Sequence, residues 1–332
     1  MKASVKYSLQ MVIALVVLGL LLMLSVRYGS NSNTGSTVFN SLFHFDASSI
    51  DQRIIRHIRI PRIIGAMLIG AALAVSGALM QSVTKNPMAD SGLLGINAGA
   101  AFMLTLCFTF FPKMSTLNTT AFSVVGAAIS AGLVFAISSL KKSQMSPTIL
   151  VLSGLAISAF FTAISEGIAL IANLKQDLAF WHFGGISAVS WAQLERLGPW
   201  IIVGLVVVYL MSGNLNLLSL TDDSIKSLGK NITAIRLISL ICVVILSGVS
   251  VSLVGNVAFV GLIIPHIAKF LVGTNNRKVI PMTILLGADL TVLADLIART
   301  INPPQETPFG IIISIVGVPF FIYLARRDGN QL

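Results

Sequence analysis

The sequence predicts an all-helical, polytopic membrane protein with ten transmembrane helices in a five-plus-five inverted arrangement, and three observations carry that prediction. The 332 residues are 55% hydrophobic and only 10% charged, with a mean hydropathy of +0.90, against a charged fraction of roughly 25% in soluble globular domains. Uncharged apolar blocks recur down the whole chain at close to the length that crosses a hydrocarbon core of about 30 Å at 1.5 Å per residue. Lys and Arg fall mainly between those blocks. No intervening stretch is long enough for a soluble domain, so residues 1–332 read as one transmembrane domain.

The first block, 7–26, stands between Lys6 and Arg27. No small-residue cleavage site follows at Ser25-Val26-Arg27, so it is expected to be a retained span rather than a removed signal. Charges and turn residues then delimit 63–84, 91–111, 120–140, 147–172 and 197–212. The next uncharged run, 237–268, would be about 48 Å long as one straight helix, which exceeds the bilayer core. Gly255-Asn256 supplies a turn that divides it into spans 232–254 and 256–272, with Arg236 and Lys269 on the same side. Blocks at 279–298 and 308–325 complete the ten. Five per half is an odd number, which turns the second half upside down relative to the first. Small residues at four-residue spacing, Gly70 with Ala74, Ala72 with Ser76 and Gly95 with Gly99, imply close helix contacts.

An even number of spans puts both termini on one side. Thirteen of the 22 Lys and Arg residues lie inside if that side is the cytoplasm, which the positive-inside rule favours. The cluster Arg53, Arg56, Arg59 and Arg62 then lies outside, against the rule. Two connections are long enough to do more than link spans. Segment 213–231, on the inner side, has helix-like stretches with Asp222, Asp223, Lys226 and Lys230, and reads as a short helical docking element. Segment 173–195, on the outer side, carries Trp181, His182 and Trp191, and Trp at that level is an interfacial anchor.

Several functions are excluded. The net charge of +10 is explained by membrane orientation, because no basic face interleaved with aromatics is present to bind nucleic acid. Gly229-Lys230 lacks the earlier loop glycine, at Ser224, and is followed by Asn231 where a P-loop needs Ser or Thr, so the chain holds no nucleotide in that way. His44, His57, His182 and His266 never fall four apart, and no G-x-S-x-G elbow occurs. Cys107 and Cys242 lie within apolar blocks without C-x-x-C spacing and read as small core residues. No metal site, resident cofactor or catalytic set is expected.

Charges within the spans are candidates for function because burying them unpaired is costly. Asp295 and Arg299 are one helical turn apart and read as a structural pair, whereas Asp289 and Glu166 show no partner in sequence. Such carboxylates keep a proton-coupled secondary carrier as the alternative reading. His266, following Pro265, reads as structural. In Arg59-Ile60-Pro61-Arg62, proline is suited to the first turn of a helix, which would present two arginines outward. Guanidinium forks bind carboxylates bidentately, while a lipid-phosphate-binding pair is the plainer reading.

These segments resemble the FecCD-like permeases, the membrane subunits of ABC importers for ferric siderophores, haem and cobalamin. The resemblance runs from Arg59 to the end of the chain. It is carried by Arg59-Ile60-Pro61-Arg62, Gly77-Ala78-Leu79-Met80-Gln81, Asn86-Pro87-Met88-Ala89 and Gly92-Leu93-Leu94-Gly95 in the first half. The second half adds Gly261-Leu262-Ile263-Ile264-Pro265-His266, Ala294-Asp295-Leu296-Ile297-Ala298-Arg299, Pro308-Phe309-Gly310 and Gly317-Val318-Pro319-Phe320-Phe321. It implies a type II importer permease that pairs with a second permease, identical or homologous. Two cytoplasmic ATPases carrying ATP and Mg drive it, and a substrate-binding protein docks outside. It implies docking of that protein by Arg59, Arg62 and Arg299, with Arg56 beside them. ATPase coupling is implied for Leu220, Ser224, Ser227, Leu228 and Gly229, although Thr221 and Ser224 stand where Gly and Ala are common. A pathway-lining fifth span follows Ser146-Pro147-Thr148, with Ser153, Ser158 and Glu166 as its candidates. Ferric siderophore is the expected cargo.

Overall fold

The computed structural model describes residues 2–29, 34–139, 147–172, 184–303 and 305–329. Among them every regular element is a helix. In chain order these are α1 (Lys2–Arg27), α2 (Gly35–Phe43), α3 (Ile50–Ile54), α4 (Ile60–Thr84), α5 (Ile96–Phe110), α6 (Thr116–Ser139), α7 (Pro147–Ile171), α8 (Trp191–Leu215), α9 (Asp222–Ser227), α10 (Ile232–Val254), α11 (Val260–Val272), α12 (Asn276–Thr300) and α13 (Phe309–Gly329). Among the described residues, seven helical stretches are long and apolar enough to cross a bilayer, and three shorter apolar helices accompany them. The protein is an all-helical polytopic membrane protein.

At the centre stands α4, buried along most of its length and packed against α12, α10, α11, α8 and α1. Its sequence explains why. Lipid tails are as apolar as the side chains they would release, so helices associate in a membrane through van der Waals fit and interhelical hydrogen bonds. Gly70, Ala71, Ala72, Ala74, Ser76, Gly77 and Ala78 remove the side chains that would hold neighbours away. A Cβ on Gly70 would fall on the Gly287 carbonyl and Thr291, and one on Gly77 would fall on the backbone of Gly261. The α4–α12 crossing is also bonded, with the Thr291 hydroxyl donating to the Ala66 carbonyl at 2.7 Å. The spacing of Gly70 with Ala74 therefore marks a real crossing, since Gly287 meets both.

Ahead of α4 the chain differs from the expectation. Pro61 does stand in the first turn of α4, but that turn is not a free helix start, because α3 runs into α4 through a π turn at Ile55–Arg59. The Ile60 N–H reaches back five residues to the Ile55 carbonyl. Proline lacks an N–H and its ring crowds the preceding turn. A widened turn just before it relieves that clash without ending the helix.

The turn at 255–259 joins α10 to α11, and Gly255 adopts φ +77° there. Yet α11 has 13 residues, about 20 Å of helix, and α5 has 15, about 22 Å, both short of the roughly 30 Å core. These two helices hold corresponding places in the two halves of the chain. Each starts after a left-handed residue, Gly95 at φ +67° and Phe259 at φ +69°. The segment after residue 183 seals the turn, with the Gly185 N–H donating to the Val254 carbonyl at 2.8 Å.

Candidate functional site

Three regions gather the chemistry-bearing residues. Two lie at opposite ends of α4, about 36 Å apart for its 25 residues. The third lies between the two short helices.

At the Arg59 end, three arginines are held inside the chain. Arg62 bonds Asp295 through Nε at 2.9 Å and Nη2 at 2.8 Å, and Glu306 through Nη1 at 2.7 Å. Arg299 lies 3.1 Å from the other Asp295 oxygen and donates to the Ser25 carbonyl and, over a very short contact, its hydroxyl. Arg59 donates to the carbonyls of Val26 and Arg27 at 2.8 and 3.1 Å. All three arginines and Asp295 are buried. The network ties α1, α4, α12 and the α12–α13 connection together. The expected Asp295–Arg299 pair is present, but the outward-facing forks at Arg59 and Arg62 are not, because burial leaves a guanidinium no stable place except against an acceptor. Arg53 and Arg56 are the exposed members of the cluster. Arg56 lies over the Phe45 ring at 4.6 Å, and its carbonyl accepts the Trp191 indole N–H at 2.9 Å. Nearby, α2 presents Phe39, Leu42 and Phe43 to the surroundings.

At the other end, a 3₁₀ turn (Asn216–Ser219) leads into the six-residue α9. Ile225 is buried while Leu220 and Leu228 project, Leu228 being 59% exposed. The Thr221 and Ser224 hydroxyls lie 2.7 Å apart, and the Ser227 hydroxyl donates to the Ser224 carbonyl. Gly229, at φ +68° with open space around it, turns the chain toward α10, where the Asn231 side chain caps the first turn. The element is anchored from two sides. Lys85 donates to the Leu220 carbonyl at 2.7 Å, and Asn216 bonds Asn275 and the Asn276 N–H at 3.0 and 2.8 Å. Neither anchor was legible locally, since their partners are 135 and about 60 residues away.

Between α5, α7 and the turn at 255–259 lies a cavity of about 350 Å³ lined by Asn97, Ser158, Thr162, Glu166 and Asn256 among others. Ser158 and Glu166, two of the expected pathway residues, meet here. Thr162 lies between them at the same four-residue spacing and was missed although the pattern contained it. The Asn97 amide donates to the Asn256 side chain at 2.6 Å. Ser153 is buried on α7, away from the lining. Pro147 and Thr148 open α7. Ser146, Trp181 and His182 lie outside the described residues. Asp289 Oδ1 is buried without a hydrogen-bond partner among the described residues, and the His266 ring meets Phe320 edge-on at 6.2 Å. Cys107 and Cys242 are buried free thiols. Among the described residues no three His, Cys, Asp or Glu side chains gather as a metal site.

The model of the FecCD transport family matches residues 15–327. The iron(3+)-hydroxamate import system permease protein FhuB of Bacillus subtilis (strain 168) is 41% identical over 309 residues, 93% of this chain and 80% of that protein. The iron-uptake system permease protein FeuB of the same organism is 40% identical over 95% of this chain and 94% of its own length. A solved inward-facing metal-chelate type ABC transporter superposes with a TM-score of 0.85 at 27% identity, covering 96% of this chain and 98% of that one.

Proposed function

The chain belongs to the FecCD transport family, and from that premise we propose that it is the permease subunit of an ATP-driven importer that carries a ferric siderophore into the cytoplasm. The observation that carries this reading is the family match across nearly the whole chain. It is a transport permease, and ATP hydrolysis belongs to partner ATPases. The Lys85 end of α4 is the cytoplasmic one, with both chain termini, and the Arg59 end faces the binding protein. A second permease, identical or homologous, completes the pathway. ATP and the loaded binding protein drive alternation because each prefers one of the two conformations.

Deleting the gene and growing cells under iron limitation on a panel of siderophores, haem and cobalamin tests the cargo. Growth on at least one ferric siderophore should be lost while haem and cobalamin use persists. Undiminished growth on every siderophore overturns the reading. A proton-coupled carrier would need a proton gradient. Uptake into proteoliposomes with the gradient collapsed and ATP supplied separates the two.

Docking is best tested at the exposed arginines, because reversing Arg59 or Arg62 would break the buried network as well. The double substitution Arg53→Glu, Arg56→Glu should weaken stimulation of ATP hydrolysis by the binding protein by about tenfold or more, the scale of losing interfacial charge pairs, with membrane insertion intact. Unchanged stimulation would remove these residues from the docking surface. At the other end, Leu228→Glu with Gly229→Glu places charge and side-chain bulk where an apolar residue and a left-handed turn meet the ATPase. ATP hydrolysis should continue while uptake falls about tenfold, and retained uptake would count against coupling through α9.

A further inference from the structure

The cavity between α5, α7 and the turn at 255–259 has a one-sided chemistry. Its polar lining consists of two amides, two hydroxyls and the Glu166 carboxylate, and no Lys, Arg or His side chain lines it among the described residues. Ser158, Thr162 and Glu166 follow one another at successive turns of α7, a single stripe on that helix. Glu166 is exposed in the isolated chain although it lies within the membrane-length run Ile149–Ile171. A carboxylate at that depth cannot be left against hydrocarbon, so it faces water, a neighbouring protein or cargo. The bond between Asn97 and Asn256 holds an amide in the first turn of α5 against one in the turn that precedes α11. It engages the Asn97 NH2 group and the Asn256 carbonyl and leaves the Asn97 carbonyl and the Asn256 NH2 group for another partner.

Charge then discriminates among ferric chelates. Three monoanionic hydroxamates balance Fe³⁺ and leave a neutral centre, whereas three dianionic catecholates leave three negative charges and polycarboxylates leave a surplus as well. The first turn of α5 contributes about half a unit of positive charge at most, less than the full charge of Glu166. We infer that this cavity is one wall of the cargo site and that its Glu166 carboxylate selects ferric trihydroxamates of neutral or positive net charge over anionic chelates. The inference rests on the permease reading and adds the class of cargo to it. A volume of about 350 Å³ is at the small end of the roughly 300–1,000 Å³ of small-molecule sites. It holds one side of a chelate, and the second permease supplies the opposite wall.

The test uses the whole importer with its binding protein in proteoliposomes and one linear ferric trihydroxamate scaffold in three forms. Its terminal amine is left as ammonium, acetylated to neutrality, or succinylated to a negative charge, so iron coordination is constant. Initial ⁵⁵Fe uptake is divided by binding-protein-stimulated ATP hydrolysis. Wild type should carry the ammonium and acetyl forms in preference to the succinyl form. Glu166→Gln should lower the ammonium-to-succinyl ratio by about tenfold, the scale of one charge acting at close range in a partly desolvated site, and Glu166→Lys should invert it. The binding protein's own preference is common to all variants and cancels. An unchanged ratio in both variants, or wild-type carriage of anionic ferric chelates with no carriage of trihydroxamates, overturns the inference. Failure of the permease reading looks different, because the wild-type complex then carries no ferric chelate of any class with ATP.

Discussion

Replacing Asp295 with Ala should destabilise the folded protein by about 3–5 kcal/mol, the range for removing one partner from a buried ion pair. Asp295 accepts from Arg62 on Oδ1, while its Oδ2 lies 3.1 Å from the Arg299 guanidinium as an ion pair without a hydrogen bond. Its loss leaves two buried guanidiniums with, among the described residues, Glu306, the Ser25 oxygens and a main-chain carbonyl for compensation. The measurement is the thermal unfolding midpoint of the detergent-solubilised protein. Asp295→Asn keeps the shape and some acceptors and should fall between wild type and Asp295→Ala. The paired replacement Asp295→Leu, Arg299→Met should recover part of the loss, because apolar side chains of similar volume often equal a buried pair in stability. If Asp295→Ala leaves the midpoint unchanged, or if the paired replacement is no better than the single one, the network does not hold α4 to α12.

Gly77→Leu is expected to be at least as damaging, for a steric reason instead of an electrostatic one. The position a side chain would take at residue 77 is already filled by the carbonyl, carbonyl carbon and Cα of Gly261. Backbone cannot rotate out of the way, so α4 and α11 must separate. Overpacking a core costs about 1–3 kcal/mol where side chains can adjust, and this site is expected to exceed that range. The result should be a loss of monodisperse protein in size-exclusion chromatography after extraction. Gly132→Ala on α6 is the control, since a Cβ there meets nothing within 4 Å. It should be neutral or stabilising by up to about 1 kcal/mol through helix propensity. Wild-type behaviour of Gly77→Leu would mean that the α4–α11 crossing is looser than its geometry.

Local sequence carried most of the helices because hydrophobic length is a local property. It also carried the break at Gly255 and the Asp295–Arg299 pair, which is four residues apart and so lies on one face of α12. It did not carry the partners of Arg62. Asp295 and Glu306 are 233 and 244 residues away, and only the packing of α4 on α12 brings them together. The arginine motif was therefore visible while its inward orientation was not. Within the candidate site, Ser158 and Glu166 were named because the fifth span resembles the pathway-lining helix of the FecCD-like permeases. Asn97 and Asn256 were missed because each is an ordinary turn or first-turn residue until the two short helices meet. The connection between α1 and α4 lies outside the expected spans, and its two helices, α2 and α3, are too short for a hydropathy window to register. Even α11 was expected to begin at residue 256, four residues before its first helical turn, because hydropathy cannot distinguish apolar coil from apolar helix.

The brevity of α5 and α11 has a consequence for biogenesis. A membrane inserts a segment on its own when its hydrocarbon-facing length satisfies the bilayer, and neither helix reaches that length. Each must therefore enter as the second arm of a hairpin, α5 with α4 and α11 with α10, and wait there until neighbouring protein surrounds the non-helical backbone at its start. For α11 that shelter is the Gly77 face of α4, made early in synthesis. The amino-terminal half thus acts as the mould in which the carboxy-terminal half is cast.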